Sequence, residues 1–136
     1  MSIRNLEIKF SKVGIHTANH PSQTNYMPVA VLQFDNQPKR KRVYLEGLLS
    51  DKKSVKQVFA GETFIVLLIN DDFHIYDLGG AMQGTVSINE YGELMQINKS
   101  SFVLCKEKTA TWISAKGTVQ GSRELTDEEY KSLHEQ

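Results

Sequence analysis

The sequence predicts a mainly β fold of the α+β kind: an antiparallel sheet, sandwich or partly open barrel of about eight strands, with one short internal helix and a C-terminal helix. Three observations carry this expectation. Apolar and polar residues alternate with period two in short windows, as in IRNLEIKF. Clusters of Asn, Asp, Gly and Pro punctuate those windows. Only DKKSVKQVFA and TDEEYKSLHEQ combine a helix cap with helical spacing of apolar residues.

The elements follow in order. Residues 3–10 form a strand with Leu6, Ile8 and Phe10 on the core face and Ile3, Glu7 and Lys9 on the other. Residues 16–28 hold two prolines and two asparagines without periodicity and read as a long loop, the kind that usually carries function. Residues 29–34 and 42–48 make a hairpin around DNQPKRK. Ser50 precedes a helix over 51–60, where Val55, Val58 and Phe59 fall at i, i+3 and i+4 and Gly61 acts as the stop. Residues 62–70, apolar on both faces from Phe64 to Ile69, form a central strand that turns at Asn70, Asp71 and Asp72 into residues 73–78.

Residues 85–90 and 93–98 alternate around Tyr91 and Gly92 as a further hairpin, and 101–107 and 109–115 supply two more strands. The last helix covers 126–134. Thr126 and Glu129 make a capping box, Leu125 can staple to Tyr130, and Asp127, Glu128 and Glu129 suit the positive end of the helix dipole. Its apolar side is only Tyr130 and Leu133, so it should dock on the surface or on a partner.

Strand, strand, strand, helix, strand, strand over residues 3–78 is the order of the five-stranded OB-fold barrel, which makes that barrel one expected topology. At 136 residues the chain suits one domain, 1–136, and its sixteen Lys and Arg balance sixteen Asp and Glu. A single cysteine, no apolar run long enough to span a bilayer and an N-terminal MSIRNLEIKF without a signal-peptide core together imply a cytoplasmic protein with no membrane partner.

Catalytic motifs are scarce. His16 and His20 stand four apart in a turn-rich stretch where no helix would align them, so no metal site is expected. His74 could act as a base but lacks a nucleophile at a recognisable turn, and a structural role is favoured. Cys105 faces away from Phe102 and Leu104, near Lys106 and Lys108, without a positioned histidine. Gly79, Gly80 and Gly84 miss the phosphate-cradle spacing and read as flexible turn glycines, so no cofactor is implied. Asp71, Asp72 and Asp77 are close in sequence, but the first two belong to a turn.

The sharpest feature is the run Lys39, Arg40, Lys41, Arg42, followed by Tyr44. Four consecutive cations at a hairpin tip either solvate a turn, steer a protein partner or track a nucleic-acid backbone. Charge is also polarised along the chain. Residues 1–60 carry ten Lys or Arg against four Asp or Glu, and residues 61–136 carry six against twelve. The expectation is therefore a non-enzymatic binding protein with a protein partner, such as a stoichiometric inhibitor or immunity-type protein, contacting it through Lys39, Arg40, Lys41, Arg42, Tyr44 and the loop residue Tyr26. The competing expectation is a single-stranded nucleic-acid-binding module on an OB-like barrel.

Overall fold

A computed structural model describes residues 3–15, 23–47, 49 and 51–134. Eleven strands fall in three antiparallel sheets among the described residues. The first sheet has the order β1 (Ile3–Ile15), β2 (Gln23–Phe34), β3 (Lys41–Tyr44). The second runs β4 (Val55–Ala60), β5 (Phe64–Ile69), β6 (Asp72–Asp77), β7 (Met82–Ser87), and the third runs β8 (Glu93–Ile97), β9 (Ser101–Lys106), β10 (Thr109–Ser114), β11 (Val119–Glu124). Every strand pair joins neighbours in sequence, so each sheet is an up-and-down meander.

The sheets stack as layers with the second in the middle. Alternation along β5 sends Ile65, Leu67 and Ile69, with Tyr76 of β6, into a cluster with Ala30, Leu32, Val43 and Leu45 of the first-sheet side. The opposite phase, Phe64, Val66 and Leu68 with Phe73 and Ile75, packs on Phe102, Leu104 and Ile113 of the third sheet. All six residues of β5 are buried, as their unbroken apolar run requires. Phe59, Phe64, Phe73 and Phe102 meet between these two sheets with ring centroids 5.9–6.3 Å apart. The outer face of the third sheet is covered by α2 (Asp127–His134), where Val103, Cys105, Ala110 and Leu125 are buried and Tyr130 packs on them.

The C-terminal cap forms as the sequence requires. Glu129 N–H donates to Thr126 Oγ1 at 3.2 Å and Thr126 N–H to Glu129 Oε1 at 3.3 Å, and Leu125 and Tyr130 share one cluster.

Five expectations are corrected. The expected helix over 51–60 is a single 3-10 turn, Lys52–Ser54, capped by Asp51, and then strand β4. A β-bulge between Val55 and Gln57 flips side-chain parity there, so Val55 and Ala60 point to the first sheet while Phe59 points to the third; three apolar residues at helical spacing thereby satisfy a strand. The expected strand over 85–90 ends at Ser87, whose hydroxyl caps one turn of helix, α1 (Ile88–Tyr91), closed by Gly92 at φ +90°. The count of about eight strands rises to eleven, and β11, whose six residues are all exposed, was not foreseen. The OB-like barrel is absent, because the strands expected to close it belong to separate open sheets.

The expected loop over 16–28 does not hold for residues 23–28. Residues 16–22 lie outside the described residues, and β2 already begins at Gln23, carrying Tyr26 and Pro28. Pro28 is tolerated in this central strand because β3 ends beside it: Pro28 accepts from Leu45 N–H at 3.0 Å and its missing donor falls where the ladder stops.

Candidate functional site

The open face of the first sheet is built by register. Pairing sets Lys9, Val29 and Tyr44 in one row across β1, β2 and β3, and Glu7, Val31 and Arg42 in the next. Residues opposite one another in neighbouring strands share a face, so these six side chains point away from the middle sheet. Val29 and Val31 are only 5% and 6% exposed. Tyr44 stands out at 56% exposure. Arg40 reaches over to Glu7 at 3.8 Å, an exposed pair of little energetic weight that nevertheless draws the guanidinium toward this face. Lys9, Arg40 and Arg42 against Glu7 leave the face basic.

The structure therefore brings together part of the sequence-predicted set. Arg42 and Tyr44 share the open face and Arg40 joins them. Lys39 is exposed in the connection ahead of β3, and Lys41 alternates to the opposite side of the strand, in phase with buried Val43. Tyr26 is not part of this face. It lies three residues from Val29 on a regularly paired strand, hence on the other side, where it bridges Leu49 through two 2.7 Å backbone hydrogen bonds and carries the Lys52 ammonium 5.0 Å from its ring centroid.

Three of the surface concavities border these layers. A groove of about 670 Å³ runs between the outer edges of β1 and β4, with Leu6, Ile8, Val58 and Phe59 along it and Arg4 and Lys99 at its polar end. A second, of about 410 Å³, lies between α2 and the third sheet. Its floor is Val103, Ala110 and Leu125, and its wall is Trp112 with the Arg123 guanidinium 5.8 Å from the ring centroid. Arg123 is held by Glu129 at 2.8 Å, and that pairing, with the Thr126 contacts, lowers the Glu129 carboxyl to about 2. Leu125, Thr126 and Glu129 were read from sequence only as a helix cap, and no residue of this groove was expected at a binding site, although the chain's one tryptophan is a signal that could have been followed.

The third concavity is small, about 90 Å³, at the border of the first and second sheets. It holds His74, Tyr76 and Glu46 among Pro28, Leu49, Ile69 and Met82. His74 Nδ1 is buried with no hydrogen-bond partner among the described residues, and burial lowers the imidazole below its ordinary value against an opposing pull from Asp72.

Cys105 is 7% exposed beneath α2 and its Sγ donates to the Glu107 carbonyl at 3.3 Å. Burial raises its thiol above the ordinary value, the reverse of the thiolate activation that nearby lysines could have given; Lys106 instead donates to the Asn89 carbonyl at 2.7 Å. No group of three or more His, Cys, Asp and Glu among the described residues could hold a metal ion, and no described helix is long and apolar enough to cross a membrane. The chain matches no known protein family, no curated protein and no solved structure.

Proposed function

We propose that this chain is a non-enzymatic, cytoplasmic binding protein that acts through a protein partner, as a stoichiometric inhibitor or immunity-type protein does. The open face of the first sheet is its contact surface and an acidic patch on the partner is its complement. The supporting observation is the exposed Tyr44 beside the shielded valines Val29 and Val31, rimmed by Lys9, Arg40 and Arg42. Tyr and Arg around an apolar centre are the residues that dominate protein interfaces, and a rim of one sign speeds encounter with a partner of the other. A nucleic-acid strand is the weaker fit, since tracking a strand takes several stacking platforms and Tyr44 is the one aromatic in the two rows of this face.

The test is co-purification from the native host with the parent chain and a Tyr44→Ala, Arg42→Ala double variant. A protein retained by the parent and lost from the double variant is the expected result. Tight, salt-sensitive binding of a labelled single-stranded oligonucleotide that vanishes in the variant, with no protein retained, would overturn the proposal.

A further inference from the structure

We propose that two copies of this chain associate edge to edge through β1, in antiparallel register about Ile8. Among the described residues six strands end a sheet: β1, β3, β4, β7, β8 and β11. A long, regular edge is a template for pairing with another chain, and a bulge or a very short strand blunts it. β3 is four residues long. The extra residues Lys56, Gln83, Met95 and Gln120 leave β4, β7, β8 and β11 with regular runs of at most four residues, such as Gln57–Ala60. On β1 the extra residue is Arg4, and the regular run that follows has eleven residues, Asn5 to Ile15. Among the described residues β1 makes no backbone hydrogen bond outside its ladder with β2, so the N–H and C=O groups along its outer edge have no protein partner.

Charge complementarity along β1 selects a second copy as the occupant. Leu6, Ile8 and Phe10 share the inward phase, opposite Leu32, Ala30 and Pro28 of β2, and Glu7 and Lys9 are exposed on the other face. Pairing two such edges about a two-fold axis keeps each face continuous, so inward residues meet inward ones. With Ile8 opposite Ile8 of the second copy, Leu6 meets Phe10 and Glu7 meets Lys9, and the symmetry makes each of these contacts twice. The two neighbouring registers are worse, because they centre on Glu7 or Lys9 and set like charges directly opposite each other. The ladder about Ile8 runs out to Asn5 opposite Ser11. It stops at Arg4, the bulge residue, which would face Lys12 as a second cation.

The groove of about 670 Å³ beside this edge adds an apolar contribution. Leu6 and Ile8 line it together with Val58 and Phe59 of β4. Val58 pairs with Leu67 and so faces the first sheet, yet it is 38% exposed. An added strand carries its own Leu6, Ile8 and Phe10 on this inward side, over the groove, and removes apolar surface of both copies from water. A ladder of seven residues is a small interface, which implies a reversible, micromolar dimer rather than a permanent one. An unrelated extended peptide could use the same edge but would lack the self-complementary Glu7 and Lys9. Tyr44 lies on β3, at the far edge of the sheet, so the dimer does not depend on the protein partner proposed above.

The test is sedimentation equilibrium of the full chain at low salt, from about 5 μM to about 500 μM, a range that brackets the affinity of a small interface. The parent should show a concentration-dependent equilibrium between one copy and two. Glu7→Lys and Lys9→Glu should each weaken it at least tenfold, since either change sets like charges opposite each other at both symmetric pairs. The double variant Glu7→Lys, Lys9→Glu should restore the parent's behaviour. An equimolar mixture of the two single variants should also dimerise, because every Glu7 and Lys9 position then meets its opposite. Urea midpoints of the variants establish that each is folded, and Tyr44→Ala, Arg42→Ala should dimerise as the parent does, which separates this interface from the surface for the protein partner. A parent that stays a monomer across the range, a dimer indifferent to either single reversal, or a mixture that stays monomeric would overturn the proposal.

Discussion

Gly80 lies against the carbonyl of Tyr44: a Cβ at this glycine would stand 2.1 Å from that oxygen, and the glycine holds φ at +94°. The β6–β7 turn thus clamps the end of β3, and Gly80 C=O accepts from Glu46 N–H at 3.0 Å in the same clamp. Gly80 is a close-approach residue and not merely a loose turn glycine. Gly80→Ala should destabilise the fold by roughly 2–4 kcal/mol, combining left-handed strain with a backbone clash. Gly121→Ala, which meets nothing within 4 Å at an ordinary φ, should change stability by less than about 1 kcal/mol. Urea denaturation of the two variants checks this, and equal midpoints would refute it.

The middle sheet sets the second expectation. Ile65 and Leu67 are fully buried toward the first sheet, so Ile65→Ala or Leu67→Ala should cost about 2–5 kcal/mol through lost burial and a residual cavity. Val58, 38% exposed on the edge strand β4, should tolerate alanine at less than about 1 kcal/mol. The ratio of the two effects, measured by chemical denaturation, tests the layer order directly.

Legibility in the sequence tracks how strongly one face was buried. β5 announces itself because FIVLLI has water on neither side, and the α2 cap because Thr126 and Glu129 need only local chemistry. β11 left no trace: it is an edge strand with every residue exposed, held by pairing to β10 and so free of any apolar pattern. Residues 51–60 misled because a bulge shifts parity by one, a backbone event that periodicity cannot display. For the candidate face, charge and Tyr44 were visible, but which cations share a side with Tyr44 depends on register. The Trp112 and His74 concavities arise from residues far apart in the chain and could be seen only after folding.

Acid should loosen the C-terminal helix through Glu129. Its carboxyl lies at about 2 in the folded chain, chiefly because of Arg123, against an ordinary 4.5. The folded state therefore binds fewer protons, and the contribution is present above about 4.5 and lost as pH falls toward 2. Parent and Glu129→Gln should differ most in urea midpoint near neutrality and converge as pH falls from about 4.5 toward 2; a constant gap would contradict this origin.

His74 acts in a higher window. Its folded pKa is lowered from 6.5 by burial, so above 6.5 both states are neutral and the group is silent. Below that value the unfolded chain takes up a proton that the folded chain resists, and stability falls with pH. Asp72, whose charge favours the imidazolium, tempers the loss. His74→Gln should flatten the dependence of stability on pH between 6.5 and 5, measured by urea denaturation at fixed ionic strength; an unchanged slope would assign the effect elsewhere.

Neutralising Lys39, Arg40, Lys41 and Arg42 together should slow association with an acidic protein partner several-fold at low ionic strength and alter dissociation little. Tyr44→Ala should act the other way, raising the dissociation rate by roughly tenfold or more, as loss of a central interface aromatic does. Surface-capture kinetics at two salt concentrations separate the two effects.

A sheet with no wet face also shapes the route by which the chain folds. The hairpins of the second and third sheets close short loops and form early, on a microsecond scale, whereas β5 gains water exclusion on both sides only when both neighbouring sheets have docked. Any species in which one outer layer has come away presents either Ile65, Leu67 and Ile69 or Phe64, Val66 and Leu68 as a bare apolar row. That row belongs to a six-residue segment without charge, proline or glycine, the composition that stacks into intermolecular β-structure. The layer that gives this protein its core is thus also an aggregation hazard whenever an outer sheet comes away.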